Sequence, residues 1–294
     1  MSAPIERGQD SSYRSCSLLL FVATPTEQDA LSEAARELGL SLEKIRDQRL
    51  GEYHWMGQVG NETVIAVSPI KERGRVVMGA IGHLGSAARA IRFQEATGAQ
   101  GIVQVGMAFG IDPRTQNLGD VLVSTSLIPY DNRTVVGMQS SFRRFLCGEG
   151  YISRYPEANR RPARGNLVTL LTKERERKQH DFKIHIGAIL SGAARIQSRR
   201  FRDELVQGVP PGDDPIVGGE MEAVGLLAAS KRTDDPVWCV VKGVSDFADE
   251  RRDAMIEKGR FLACRNAATF VLSALLNDAK PDDLVRGAGD DQAR

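Results

Sequence analysis

Short runs of Leu, Val and Ile recur along the chain, and the stretches between them place apolar residues at helical spacing. "SLLLFVAT" (17–24), "ETVIAVS" (62–68), "GIVQVG" (101–106), "DVLVSTS" (120–126), "HIGAILSG" (185–192) and "VWCVVKG" (237–243) read as strands. Most lack clean polar alternation, as expected of strands covered on both faces. "PTEQDALSEAARELG" (25–39), "GSAARAIRFQEATGA" (85–99) and "GRFLACRNAATFVLSALL" (259–276) read as helices, and so does the small-residue stretch "GGEMEAVGLLAA" (218–229). The alternation predicts an α/β fold with helices on both sides of its sheet.

The rhythm fails in three places. Residues 1–16 read as a flexible polar arm and 278–294, "DAKPDDLVRGAGDDQAR", as a disordered tail. Between about 132 and 183 the chain carries "SFRRF", "NRRPARG" and "KERERK", which read as a variable basic insertion or loop region. What remains is one domain over 17–277.

Composition narrows the function classes. A hydrophobic content of 41% and a charged content of 26% suit a soluble globular chain. The net charge of +1 gives no overall pull toward nucleic acid or an acidic membrane. "SCSLLLFVA" is too short to span a bilayer. Cys16, Cys147, Cys239 and Cys264 are scattered without a C-x-x-C pair. That argues against a zinc site or a disulfide framework and suits a cytoplasmic setting. His54, His83, His180 and His185 form no metal-ligand pattern, and no metal or other cofactor is expected.

Four acids stand where the pattern looks buried. Glu27 follows the first strand in "ATPTEQDAL", where Thr24, Pro25 and Glu27 also fit a helix N-terminus with a capping box. Glu220 and Glu222 flank Met221, and Asp246 ends the strand in "VVKGVSDFAD". Buried carboxylates are costly unless paired, hydrogen-bonded or used. Each has a structural explanation alone, as a helix-start acid, a buried ion pair or a strand-end cap. Together they suggest several element ends meeting at one rim of a sheet, where α/β enzymes place their sites.

From about Leu18 to Leu276 the sequence resembles the purine nucleoside phosphorylase / methylthioadenosine nucleosidase superfamily. The resemblance rests on six ordered blocks: "ATPTEQDAL", "HLGSAARA", "VGMAFGIDPRTQNLGDVLVS", "GAILSGAARI", "GEMEAVGLLAA" and "VKGVSDFAD". It implies a three-layer α/β/α fold around a twisted mixed sheet, a homo-oligomer (dimer, trimer or hexamer), and hydrolysis of a purine N-riboside to free base. Asp246 would then be the general acid to purine N7, and Glu27 would hold and activate water. Glu222 would accept bonds from ribose hydroxyls, Met221 would pack under the sugar, and Ser245 would orient Asp246. Gly106, Met107, Ala108, Ser191 and Ile196 would complete the substrate site. The family's phosphorylases commonly carry a Gly-Asp-x-x-Arg phosphate loop after the first strand. "ATPTEQ" has no arginine there, which favours hydrolysis over phosphorolysis.

The departures point to the substrate. Phe109 replaces the first glycine of a usual Gly-Gly pair. Arg195 stands where the methylthioadenosine enzymes have a base-stacking phenylalanine, and "ERRDAMIEKGR" is basic where they are apolar. Arg195, Arg251 and Arg252 therefore read as candidates for a 5′-phosphate. The pattern is similar to nucleosidase domains of bacterial defence and signalling systems, some of which degrade AMP or ATP to adenine. The alternatives are a nucleotide-sensing module on the same fold or a phosphate-dependent phosphorylase. In each case the partner is a small purine nucleoside or nucleotide, with no nucleic acid or membrane.

Overall fold

The computed structural model describes residues 14–137, 151–156, 160–163, 166–177, 180–229 and 237–278. Almost all of the expected N-terminal arm and C-terminal tail, and part of the basic 132–183 region, lie outside them.

The apolar runs form the central strands β1 (Leu18–Phe21), β4 (Glu62–Val67), β7 (Gly101–Gly110), β8 (Val121–Pro129), β12 (Ile184–Ser191) and β14 (Val237–Asp246). β1 lies parallel between β4 and β7. Its successive side chains alternate between two cores. Leu18 and Leu20 join a cluster with Leu31, Ala34, Ala268 and Val271, under α1 (Pro25–Glu37) and α6 (Arg252–Leu276). Leu19 and Phe21 join the opposite cluster, with Ala90 and Phe93 of α2 (Ser86–Thr97) and with α5 (Leu226–Ala229). This two-sided burial explains the unbroken apolar runs, and the sheet between helical layers is the expected α/β/α architecture.

The sheet is mixed. β7 pairs parallel with β14 along nearly its whole length. Its first half pairs with β1, whereas Phe109 and Gly110 pair antiparallel with β13 (Ile216–Glu220). β13 joins β12, β12 joins β8, and β8 returns to β14, so part of the sheet curls into a closed ring. β7 thus leaves β1 after Gln104 and meets β13 at Phe109. The gap between those pairings, at Gly106–Ala108, adjoins the cavity described below.

Two antiparallel strands, β2 (Glu43–Asp47) and β3 (Gly51–Val59), extend the sheet beyond β4. In the basic region, β9 (Thr134–Gly137) pairs with β10 (Tyr151–Arg154), and β11 (Arg161–Pro162) edges β8. There too α3 (Leu167–Arg177) buries Leu167, Leu170 and Leu171 in the first core cluster. The remaining elements are the two-residue strands β5 (Lys71–Glu72) and β6 (Arg75–Val76) and the helix α4 (Arg199–Gly208).

One local expectation is corrected. "GGEMEAVGLLAA" is not a continuous helix. Gly218–Glu220 ends strand β13, a 3-10 turn spans Ala223–Gly225, and α5 follows with four residues. Two glycines explain the strand. A Cβ on Gly218 would come within 2.6 Å of the Phe109 carbonyl oxygen, and one on Gly219 within 2.2 Å of the Phe109 ring. Small residues here serve close strand packing, not a helix.

Candidate active site

A cavity of about 470 Å³ opens at the carboxyl ends of β1, β13 and β14, in the size range of small-molecule sites. Glu27, Met107, Ala108, Arg195, Ile196, Met221, Glu222, Ser245, Asp246 and Arg252 line it, as does Glu220. Thr24, Val76, Met78, Ile256 and Arg260 add to its wall.

Glu27 is fixed from two sides. One carboxylate oxygen accepts the N–H groups of Ala23 (2.7 Å) and Thr24 (2.8 Å), and the Thr24 hydroxyl accepts the Glu27 N–H. This is the expected capping box. The other oxygen accepts the Met107 N–H at 3.0 Å and stands 3.5 Å from Lys242 Nζ. Gly106 makes room for it, since a Cβ there would lie 1.8 Å from Glu27 Oε1.

Glu220 and Glu222 divide their tasks. The Glu220 carboxylate caps the turn after β13 by accepting the N–H groups of Glu222 (2.9 Å) and Ala223 (2.9 Å). The Ser191 hydroxyl accepts the Val224 N–H, and the Ser86 hydroxyl donates to the Glu222 carbonyl. These bonds fix the backbone around Glu222, whose side chain lines the cavity. Burial pushes its carboxyl up to about 7, opposed by Lys242 and reinforced by the charges of Glu220 and Glu27.

Asp246 sits at the end of β14. Its oxygens accept the Ala248 N–H at 2.8 Å and meet the Ser245 hydroxyl at 2.9 Å. Ala248 reaches back through a left-handed backbone, φ 49°. Burial raises the Asp246 carboxyl above the usual range, against those two bonds and Arg252, which stands 3.8 Å away. A carboxyl that holds its proton inside a cavity can donate it.

Lys242 escapes sequence reasoning. It is fully buried in β14, beneath the cavity. Burial alone would lower its ammonium, but Glu27, Glu220 and Glu222 together raise it. The signal was one lysine within the apolar run "VWCVVKGV", since a buried cation needs carboxylate partners. Gly106 and Ser191 act behind the cavity wall, one beside Glu27 and the other holding the turn. Arg251 is the displaced candidate. It points away to an adjoining cleft, where Asp249 holds it at 2.8 Å. Among the described residues, no group of three or more His, Cys, Asp or Glu is arranged to hold a metal ion. None of the described helices is long and apolar enough to cross a membrane.

Comparison with known proteins gives this geometry a context. The death domain-containing ATP nucleosidase of Amphimedon queenslandica is 25% identical over 287 residues, covering 93% of this chain and 51% of that protein. The chain therefore spans about half the length of this relative. The fold is shared with the 5′-methylthioadenosine/S-adenosylhomocysteine nucleosidase of Neisseria meningitidis, solved with methylthio-immucillin-A. That structure has a TM-score of 0.63 and 18% identity, over 88% of this chain and 98% of that one. The corresponding protein of Colwellia psychrerythraea, solved with adenine, gives a TM-score of 0.65 and 19% identity, over 90% and 96%. A family model described as the phosphorylase superfamily matches residues 17–278, and with this match the chain belongs to that superfamily.

Proposed function

We propose that the chain is a purine N-ribosyl hydrolase that releases adenine from a nucleoside or nucleotide. The observation carrying this reading is the convergence of Glu27, Glu222 and Asp246 on one cavity. Protonated Asp246 donates its proton to purine N7 as the bond from C1′ to N9 breaks. The Glu222 carboxylate accepts bonds from the ribose hydroxyls and stabilises the oxocarbenium-like sugar. A water held by Glu27 attacks C1′ and passes its proton to the Glu27 carboxylate, leaving free base and the ribosyl product. Met221 packs against the sugar, and Ser245 orients Asp246. No metal or cofactor is required by these steps.

Hydrolysis is favoured over phosphorolysis because the loop after β1 offers a carboxylate and no arginine. The reading includes a nucleotide substrate. Arg195 and Arg252 in the cavity wall support it, as does the similarity to the ATP nucleosidase of Amphimedon queenslandica. It also includes a homo-oligomer in a cytoplasmic setting. The buried free thiols of Cys16, Cys239 and Cys264 suit that compartment.

A second reading has one observation in its favour. Glu27 already accepts three backbone N–H groups, so a nucleotide sensor would keep it as a structural cap. One assay decides among the readings. The protein is incubated with adenosine, methylthioadenosine, S-adenosylhomocysteine, AMP and ATP, with and without phosphate, and free adenine is measured. Release independent of phosphate supports the hydrolase. Release only with phosphate makes it a phosphorylase, and tight binding without release makes it a sensor.

A further inference from the structure

Helix α6 reaches the cavity with three side chains spaced four residues apart, Arg252, Ile256 and Arg260. Four-residue steps keep them near one helix face and spread them over about 12 Å of wall. The first has a fixed neighbour, since Arg252 Nε is 3.8 Å from Asp246 Oδ1. It therefore marks the end of the cavity that holds the proton donor. From there α6 runs toward α1, where Arg265 pairs with Glu33 at 3.3 Å and Glu37 at 2.8 Å. Arg260 lies between, one turn before Cys264, whose thiol feels both the Arg260 and the Glu27 charge. So the wall reads cation, apolar side chain, cation, from the Asp246 end toward the Glu27 end.

The two cations differ in what engages them. Arg252 meets Asp246 and also Asp253, at 3.2 Å. Arg260, exposed at the rim, has no hydrogen bond or ion pair among the described residues, although it lines a cavity that also holds four carboxylates. An arginine fork left without a carboxylate at a cavity wall is suited to bidentate phosphate oxygens.

We infer that Arg260 binds the 5′-phosphate chain of the substrate, making it a residue that selects a purine nucleotide over a nucleoside. This rests on the hydrolase reading above for its orientation. A base at Asp246 and a ribose at Glu222 direct the 5′ carbon along α6. Ile256 then faces the sugar end, and Arg260 meets the phosphates beyond it.

The test measures adenine release from ATP and adenosine by wild type, Arg260→Ala, Arg260→Lys and Lys258→Ala. Lys258 is exposed on the same helix but does not line the cavity, so its loss removes equal charge without the contact. Arg260→Ala is expected to lower the ATP-to-adenosine ratio of kcat/KM about 10- to 100-fold, mostly through KM, as for one charge-assisted bond. Arg260→Lys recovers part of the ratio, and Lys258→Ala leaves it near wild type. Equal loss on both substrates, or an unchanged ratio, overturns the assignment. Binding is measured separately by calorimetry with ATP, in Asp246→Asn alone and combined with Arg260→Ala. Weaker ATP binding in the double variant upholds Arg260 even if the wild type releases no adenine, an outcome that ends the hydrolase reading alone. Equal ATP binding by the two proteins overturns Arg260 whatever the turnover.

Discussion

Two neighbouring concavities use the same residue types to opposite ends. The cleft around Asp112, Arg114, Arg202, Asp203, Asp249 and Arg251 is closed on itself. Arg114 grips Asp112 through two 3.0 Å bonds, Arg202 meets Asp203 at 2.7 Å, and Arg251 meets Asp249 at 2.8 Å. The hydrogen bonds from Arg114 hold the Asp112 carboxyl below its usual range. In the larger cavity the carboxylates lean mainly on backbone N–H groups. Glu27 takes three, Glu220 takes two and Asp246 takes one. Burial then raises Glu222 and Asp246. In the cleft each carboxylate is already matched by an arginine, whereas the cavity's carboxylates are positioned mainly by backbone and stay able to act on a ligand.

The contrast can be broken most severely at Asp246. Asp246→Asn keeps the shape and removes the proton, so turnover is expected to fall about 10²- to 10⁴-fold with little change in KM. Asp249→Asn, the matched change on the cleft side, should leave turnover within about threefold in the same adenine-release assay. Near-normal turnover in Asp246→Asn would make Asp246 a strand-end cap.

Lys242 comes next. Lys242→Met leaves Glu27, Glu220 and Glu222 without their buried cation, and losing one partner of a buried pair costs about 3–5 kcal/mol. Urea unfolding should show that loss at pH 7 and a smaller one at pH 5, where the Glu222 carboxyl, pushed up to about 7, is protonated. An equal loss at both values would mean that packing, not charge, is what the lysine supplies.

The third contrast is one of pH. Burial pushes the native Glu222 carboxyl up to about 7 from an ordinary value of 4.5. Its pKa is raised on folding, so its stabilising contribution is full below about pH 4.5 and is lost as pH rises through about 7. Glu222→Gln should remove that dependence, worth on the order of 3 kcal/mol between pH 4.5 and 8. Unfolding midpoints across that range would read it directly. Parallel pH profiles for wild type and variant would place the titration elsewhere.

The smallest effect belongs to Arg251. Its guanidinium is largely exposed, and an ion pair held by an exposed side chain adds little to stability. Arg251→Ala should leave the melting temperature and ATP cleavage close to wild type. A tenfold loss of ATP cleavage would return Arg251 to the substrate site.

How much of this was legible in the sequence depended on whether burial was two-sided. β1, β7 and β14 showed as apolar runs because both faces meet helices. β2 reads "EKIRD" with mostly exposed positions, so no period announces it, and its place comes from pairing with β3. "GGEMEAV" misled because Gly218 and Gly219 look like small helix residues, although their role is set by Phe109 across the sheet. Glu27, Glu222 and Asp246 stood out as candidates because each lies at or near the terminus of an element. Lys242 sits inside a strand, and only the fold reveals the three acids around it. Arg251 and Arg252 were indistinguishable as neighbours, until the start of α6 turned one toward Asp246 and the other toward Asp249.

Gly106 links two positions that are 79 residues apart in the chain. Any side chain at 106 would occupy the space of the Glu27 carboxylate, with its Cβ 1.8 Å from the oxygen. The present place of the Glu27 carboxylate therefore depends on glycine at 106. A substitution at 106 would push the Glu27 carboxylate off the Met107 N–H and away from Lys242, so the seat of this acid is set by a residue that carries no side chain.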